Sequence, residues 1–421
     1  MDYKKYEKDN CNIHIINTDK FKTVNVRINF KKKIKKEEIT LRNFLVSQLL
    51  YSSKKYRSSR DIEIEAEELY GISVDMNNYR SGRYIISSLK SSFLNEKYTE
   101  KGMNKKSLEF LLELLFNPDV CDNKFNEFVF EIVKRKVKDD ISSIKENPGR
   151  YSNIKLFDYK DKDAVYSYHI DGYLDDLEKI TPSNLYTYYK NMVENDIIDI
   201  FIVGNVDEEV VDVINKAIPN RKCENKLESH YLKSSIDNGN IRQYKEKMNI
   251  NQSKLAIALN VDELDFFDKQ YTLSVYNYIL GGSNESKLFQ EAREKNSLCY
   301  YISSSVSRLD SMMVITSGID SKNYDRTIEI INKALDDIKN GDFDLKEIDK
   351  AKITYINSCN EITDSPSSIL NNYISHEYLH TDLIEDRIKN IQKVNKEMVI
   401  EVAKKIKLDT VFLLEGDLNN K

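Results

Sequence analysis

The apolar and polar positions of this 421-residue chain fall into two successive series of the same kind. Residues 24–30 (VNVRINF) and 254–260 (KLAIALN) carry the alternation of half-buried strands. A helix-period stretch follows each, from 40 to about 50 and from 267 to about 280. Next come a second helix and further strands, at 83–89 in the first series and at 299–306 and 312–317 in the second. The two series also close alike, on DLEKITPSNLYTYYKNMVENDIIDIFIVGNVD and on RIKNIQKVNKEMVIEVAKKIKLDTVFLLEGDL. Each closing stretch passes through a cap-like polar pair and a helix into a β-rich run that ends on glycine, Gly204 or Gly416. Thr181-Pro182 is a strong helix start, a capping hydroxyl followed by proline at the first helical position. The two glycines stand about 212 residues apart. A period of half the chain points to duplication, because solenoid repeats run to roughly 20–50 residues.

The pattern predicts an α+β protein of two homologous halves, each a mostly antiparallel sheet with helices packed on one face. The predicted boundaries are 1–217 and 250–421. The polar stretch 218–249, which contains Asn238-Gly239, is the predicted linker.

Composition narrows the function. Lys+Arg 64 against Asp+Glu 69 leaves a net charge of −5, which gives no general reason to bind nucleic acid or acidic membranes. The basic clusters Lys31-Lys32-Lys33 and Lys35-Lys36 read as solvated faces. No stretch approaches the roughly 18 uncharged apolar residues of a membrane helix. The opening MDYKKYEKDNCN lacks the apolar core of a signal peptide. Cys11, Cys121, Cys223, Cys299 and Cys359 are odd in number, widely spaced and form no C-x-x-C, the usage of reduced thiols in a cytoplasm.

Candidate chemistry is sparse. His376-Glu377-Tyr378-Leu379-His380 is a literal H-E-x-x-H, and on a helix its two histidines could share a face and hold zinc. The same spacing also suits any two polar residues on one helical stripe, which is the reading preferred. His14, His169 and His230 are isolated and read as surface or strand-end residues. Glu63, Glu65, Glu67 and Glu68 fit a solvated, salt-bridged helix face. Gly281-Gly282-Ser283 lacks the lysine and spacing of a phosphate loop.

The order of motifs carries more. The opening strand and helix with LVSQLL, then LLELLFNPDV, the FEIVKRKVKDDISSIKENPGRY helix, GYLDDLEKITPSNLYTYY, INQSKL and GGSNESKLFQEAREKNSLCY together resemble the pitrilysin/insulinase (inverzincin) peptidases over nearly the whole chain. That family carries His-x-x-Glu-His on the helix that here reads Asn43-Phe44-Leu45-Val46-Ser47. Asn43 and Ser47 stand where the two zinc-binding histidines would be, and Val46 where the glutamate that activates water would be. The third ligand of the family falls at Val133, with Glu131 two positions away. The resemblance is nearest to the metal-free homologues associated with the 5-aminopentanol modification of elongation factor P.

The resemblance implies halves arranged as a clam shell. It also implies that Arg293 and Tyr300 match an arginine and a tyrosine that hold the substrate backbone in active members, as donors to a peptide carbonyl. It therefore implies a non-catalytic subunit without a metal of its own, paired with a homologous zinc-bearing peptidase subunit and acting on unfolded peptides. The alternatives are a peptide-binding scaffold that assists protein modification without hydrolysis, and a self-sufficient zinc peptidase built on His376 and His380.

Overall fold

The computed structural model describes residues 1–221, 228–234 and 240–417. Cys223 and the Asn238-Gly239 pair of the predicted linker lie outside these residues. The chain divides into two compact units. The first comprises Met1–Ser143, His169–His230 and Ile362–His380; the second comprises Ile144–Tyr168, Tyr231–Glu361 and Thr381–Lys421.

The first unit is built on a six-stranded sheet in the order β1-β2-β8-β3-β5-β4. Its strands are β1 (Asp2–Glu7), β2 (Asn12–Asn17), β3 (Thr23–Lys33), β4 (Ser73–Ser81), β5 (Tyr84–Leu94) and β8 (Ile197–Gly204). A two-residue hairpin, β6 (Val120–Cys121) with β7 (Lys124–Phe125), stands apart from it. All neighbours in the sheet are antiparallel except β2 and β8. One face packs on helices that include Ile39–Leu49, Met103–Phe116, Glu127–Ser142 and Pro182–Asn195, around Phe30, Leu45, Leu111, Val133 and Ile200.

The second unit repeats the plan with β9 (Arg242–Met248), β10 (Ser253–Asn260), β11 (Cys299–Ser307), β12 (Met312–Ile319) and β13 (Lys407–Gly416), in the order β11-β12-β10-β13-β9. Read from the other edge, that order matches β2-β8-β3-β5-β4 strand for strand. The single parallel pair, β9 with β13, falls at the place of β2 with β8. Gly204 and Gly416 close the matching strands β8 and β13. Both halves therefore have the α+β fold expected of a duplication, and the first adds only the edge strand β1.

The sequence pattern did not reveal that the second face of each sheet is covered too. Every residue of β8 is buried, as in a strand covered on both sides. Phe201 and Val203 of β8, with Ile16 and Ile86, pack against Ile369, Leu370, Ile374 and Tyr378 of helix Pro366–Leu379. In the second unit Ala256, Val314, Phe412 and Leu414 pack against Leu156, Tyr151 and Tyr159 of helix Pro148–Asp161. Each sheet thus takes its covering helix from the other half of the sequence. The break that frees the first of these helices is local: Asn147 accepts a bond from the Arg150 N–H, and Pro148 occupies the first turn. The segment read as one helix is thereby two.

Three expectations about polar residues need correction. Lys31 belongs to no solvated face: it is 1% exposed on β3, with its ammonium 3.6 Å from Asp199 and 3.7 Å from the centre of the Tyr378 ring. His14 is buried, stacked 4.1 Å from Phe201 and hydrogen-bonded to the Tyr3 hydroxyl. His230 is buried as well, with Nδ1 beside both the hydroxyl and the carbonyl of Ser81. The cause in each case is the covering of a second face, under which each of the three side chains keeps at least one polar neighbour.

Candidate functional site

Helix Ile39–Leu49 begins where β3 ends and lays Phe44, Leu45, Val46 and Leu49 into the apolar core. Three of its polar residues, Thr40, Arg42 and Asn43, are committed elsewhere. Arg42, fully buried, donates from Nη2 to the Phe30 carbonyl at 2.6 Å and from Nε to Ser87 at 2.8 Å, and pairs with Asp196 at 2.7 Å. Asn43 is half-buried and donates from its amide to the Asp171 carbonyl at 2.7 Å. The same loop returns to the helix when the Tyr173 N–H donates to the Thr40 hydroxyl at 3.0 Å. Gly172 between them adopts φ +99°, and a Cβ there would stand 3.0 Å from the Thr40 hydroxyl oxygen. Val46 is 2% exposed, Ser47 half-buried, and Val133 on the facing helix 0% exposed.

This donor set does not fit zinc. An amide already spent on a carbonyl, two isopropyl groups and one hydroxyl offer neither the imidazole nor the carboxylate such a site needs. Among the described residues there is no group of three or more His, Cys, Asp or Glu placed to hold a metal ion.

The H-E-x-x-H string is not a zincin helix. Helix Pro366–Leu379 ends before the second histidine, and His380 turns into the left-handed region at φ +53° as the cap. Glu377, the general base of such a motif, accepts from the Tyr3 hydroxyl at 2.7 Å and pairs with Lys5 at 3.2 Å. Burial acts first on this carboxyl and raises it. Its hydrogen bond from Tyr3 and the charges around it outweigh that, so the group lies below the usual carboxylate range and is held ionised.

The second unit shows the opposite arrangement. Phe289–Lys295 is a π-helical turn that carries Arg293, and it leads through Ser297, at φ +50°, into β11. On that strand Cys299 pairs with Ile319 and Tyr301 with Gly318, so Tyr300 is the extra residue of a β-bulge. Gly318 opposite has no room for a Cβ, which would lie 2.6 Å from the Tyr301 ring. The turn and the bulge bring Arg293 and Tyr300 together: the guanidinium carbon lies 5.9 Å from the Tyr300 ring centre and 4.7 Å from that of Phe289. Tyr300 is 76% exposed, and the Arg293 side chain keeps 43% of its surface. Among the described residues neither side chain makes a hydrogen bond, and the nearest carboxylate, Glu294, is 3.9 Å from Arg293. π turns and bulges both re-aim side chains. The sequence gives no sign of either, since their signal is backbone register.

The family model for the inactive domain of peptidase M16 matches residues 179–355. A protein of Bacillus subtilis (strain 168) named "Probable inactive metalloprotease YmfF" is 29% identical over 409 residues, 96% of this chain and 95% of its own length. The crystal structure of a conserved protein from Enterococcus faecalis V583 superposes with a TM-score of 0.92 at 28% identity, over 100% of both chains. That of a peptidase M16 inactive domain from Pseudomonas fluorescens superposes with a TM-score of 0.79 over 100% of both chains, and at 17% identity it shares the fold.

Proposed function

We propose that this chain, a homologue of the M16 (insulinase-type) peptidases by its similarity to their inactive domain, is the non-catalytic subunit of a two-chain zinc peptidase or peptide-processing complex. The observation that carries this reading is the contrast within the chain. The helix that would hold metal is filled with core and loop contacts. Arg293 and Tyr300, on a π turn and a bulge, are exposed with no hydrogen bond to a described residue.

A guanidinium and a phenol side by side are donors suited to a peptide carbonyl and to the oxyanion that forms from it. In the complex they hold the backbone of an unfolded peptide. The partner, a homologous subunit that carries His-x-x-Glu-His, supplies the zinc and the base that activate water. The setting is a reducing cytoplasm, in keeping with free Cys11, Cys121, Cys299 and Cys359. Among the described residues no helix is long and apolar enough to cross a membrane.

The test is to purify the chain, measure its metal content, and assay cleavage of unfolded peptides with and without a zinc-motif homologue encoded beside it. The expected result is no stoichiometric zinc and no cleavage alone, then a mixed dimer that cleaves. Stoichiometric zinc lost on His376→Ala, or cleavage by the lone chain, would overturn the reading. Peptide binding without cleavage in any mixture would establish a scaffold that assists modification without hydrolysis.

A further inference from the structure

The second unit holds a cavity of about 400 Å³ that none of the preceding chemistry uses. It lies among helix Leu273–Leu280, the end of β11, helix Leu345–Glu361 and helix Ile384–Gln392. By strand order, Leu273–Leu280 is the counterpart of Ile39–Leu49, and Leu345–Glu361 that of Glu127–Ser142. The cavity therefore sits, in the second repeat, beside the helix pair that in the first repeat carries Asn43, Val46, Ser47 and Val133.

Its lining has one sign of charge. Arg308 and Arg387 are its charged residues, and no described aspartate or glutamate lines it. Asn277, Ser304, Thr354 and Tyr355 add neutral donors and acceptors. Arg308 is anchored from behind: Nε donates to the Lys269 carbonyl at 2.9 Å and Nη2 to the Ser274 hydroxyl at 2.6 Å. Both acceptors are neutral. Among the described residues no carboxylate lies within ion-pairing distance of Arg308, and none accepts a bond from its Nη1. Arg387 donates from Nε to the Tyr355 hydroxyl at 3.2 Å, which sets its plane.

The wall behind is rigid. Ser304 donates to the Asn277 amide oxygen at 2.8 Å, and the N–H groups of Gly281 and Gly282 both donate to the Asn277 carbonyl. A Cβ on Gly282 would stand 2.6 Å from the Asn277 amide nitrogen, so this glycine serves as a close-packed edge of the cavity.

We propose that this cavity is a binding site for a small molecule bearing an oxyanion, phosphate or carboxylate, held between Arg308 and Arg387. Two guanidiniums in a concave, hydroxyl-rich pocket are the donor set that planar recognition of such groups uses. Burial pulls the Arg308 guanidinium down from its ordinary value, and the Arg387 charge adds to that. Despite its burial, Arg387 is instead held above its ordinary value by the Tyr355 hydroxyl, and an anion in the cavity would meet both guanidiniums.

Calorimetric titration of the full-length chain with sodium phosphate and, separately, sodium acetate, at neutral pH and constant ionic strength, tests this. Saturable binding of at least one of the two is expected. Phosphate alone marks a phosphorylated ligand, acetate alone a carboxylate. Arg387→Gln is expected to weaken binding roughly tenfold or more, the loss of one charge-assisted pair. Thr354→Glu, at an exposed rim position, should do the same through a competing carboxylate while it leaves the fold intact by circular dichroism. The second variant decides the matter if the first does not fold. Absence of binding by either anion, or unchanged affinity in Thr354→Glu, would overturn the proposal.

Discussion

At the scale of single residues, helix Ile39–Leu49 spends its side chains on core packing and loop contacts. That Asn43, Val46 and Ser47 make a poor donor set for zinc is legible because it is local: no neighbour can make Val46 accept a proton or Asn43 replace an imidazole. Burial was less legible. Lys31, His14 and His230 read as surface residues because the rings that cover them, Tyr378 for Lys31 and His230 and Phe201 for His14, lie far along the sequence. His230 carries a measurable consequence. Burial first, and the Lys31 charge next, lower it from 6.5 to about 4. Between these values the unfolded chain binds a proton that the folded chain does not, so stability is full above about pH 6.5 and falls as pH drops toward 4. The limiting loss is about 3 kcal/mol. His14 is lowered by burial as well and acts in the same direction. Urea unfolding of wild type and His230→Gln from pH 7 to 4 should show a flatter dependence in the variant. An identical pH dependence would mean that His230 titrates normally in the folded chain.

At the scale of elements, β3, β5, β8, β10, β11, β12 and β13 followed from alternation and from the repeated closing pattern, since a strand half-buried on a sheet must show period two, whereas β1, β2, β4, β9 and the order of the strands in each sheet did not. The break at Asn147-Pro148 was also present in the sequence, as a dipeptide that starts helices, but the helical content on both sides hid it. The π turn at Arg293 and the bulge at Tyr300 were not legible, because register lives in backbone pairing. The loop Asp171–Tyr173 is tied to helix Ile39–Leu49 through Asn43 and Thr40. Gly172→Ala combines a disfavoured φ with a contact to Thr40 and should destabilise the chain by roughly 1–3 kcal/mol. Thermal unfolding checks this, and an unchanged midpoint would show that the loop is not fixed to the helix.

At the scale of the whole molecule, the chain passes between its two units five times, because each sheet takes a helix from the other half. A linear division into 1–217 and 250–421 would leave each sheet without one cover. Ile369, Leu370, Ile374 and Tyr378 are all nine-tenths or more buried on the first sheet, and each such side chain is worth about 1.5–3 kcal/mol when fully buried. Residues 1–217 expressed alone are therefore expected to aggregate or to bind a hydrophobic dye, and residues 218–421 likewise for want of Leu156 and its neighbours. Coexpression of the two fragments should restore a soluble, cooperatively unfolding complex. Independent, cooperative folding of either fragment would contradict the exchange. The account of function rests on one further point at this scale, that a surface without metal chemistry serves a partner that has it. The most direct measurement is kcat/KM for peptide cleavage by the reconstituted two-chain complex with wild-type protein and with the Arg293→Ala, Tyr300→Phe double variant. The account predicts an intact dimer whose turnover falls on the order of 10²–10³, about 3–4 kcal/mol, as for the loss of an oxyanion donor. Equal turnover by the two complexes would contradict it.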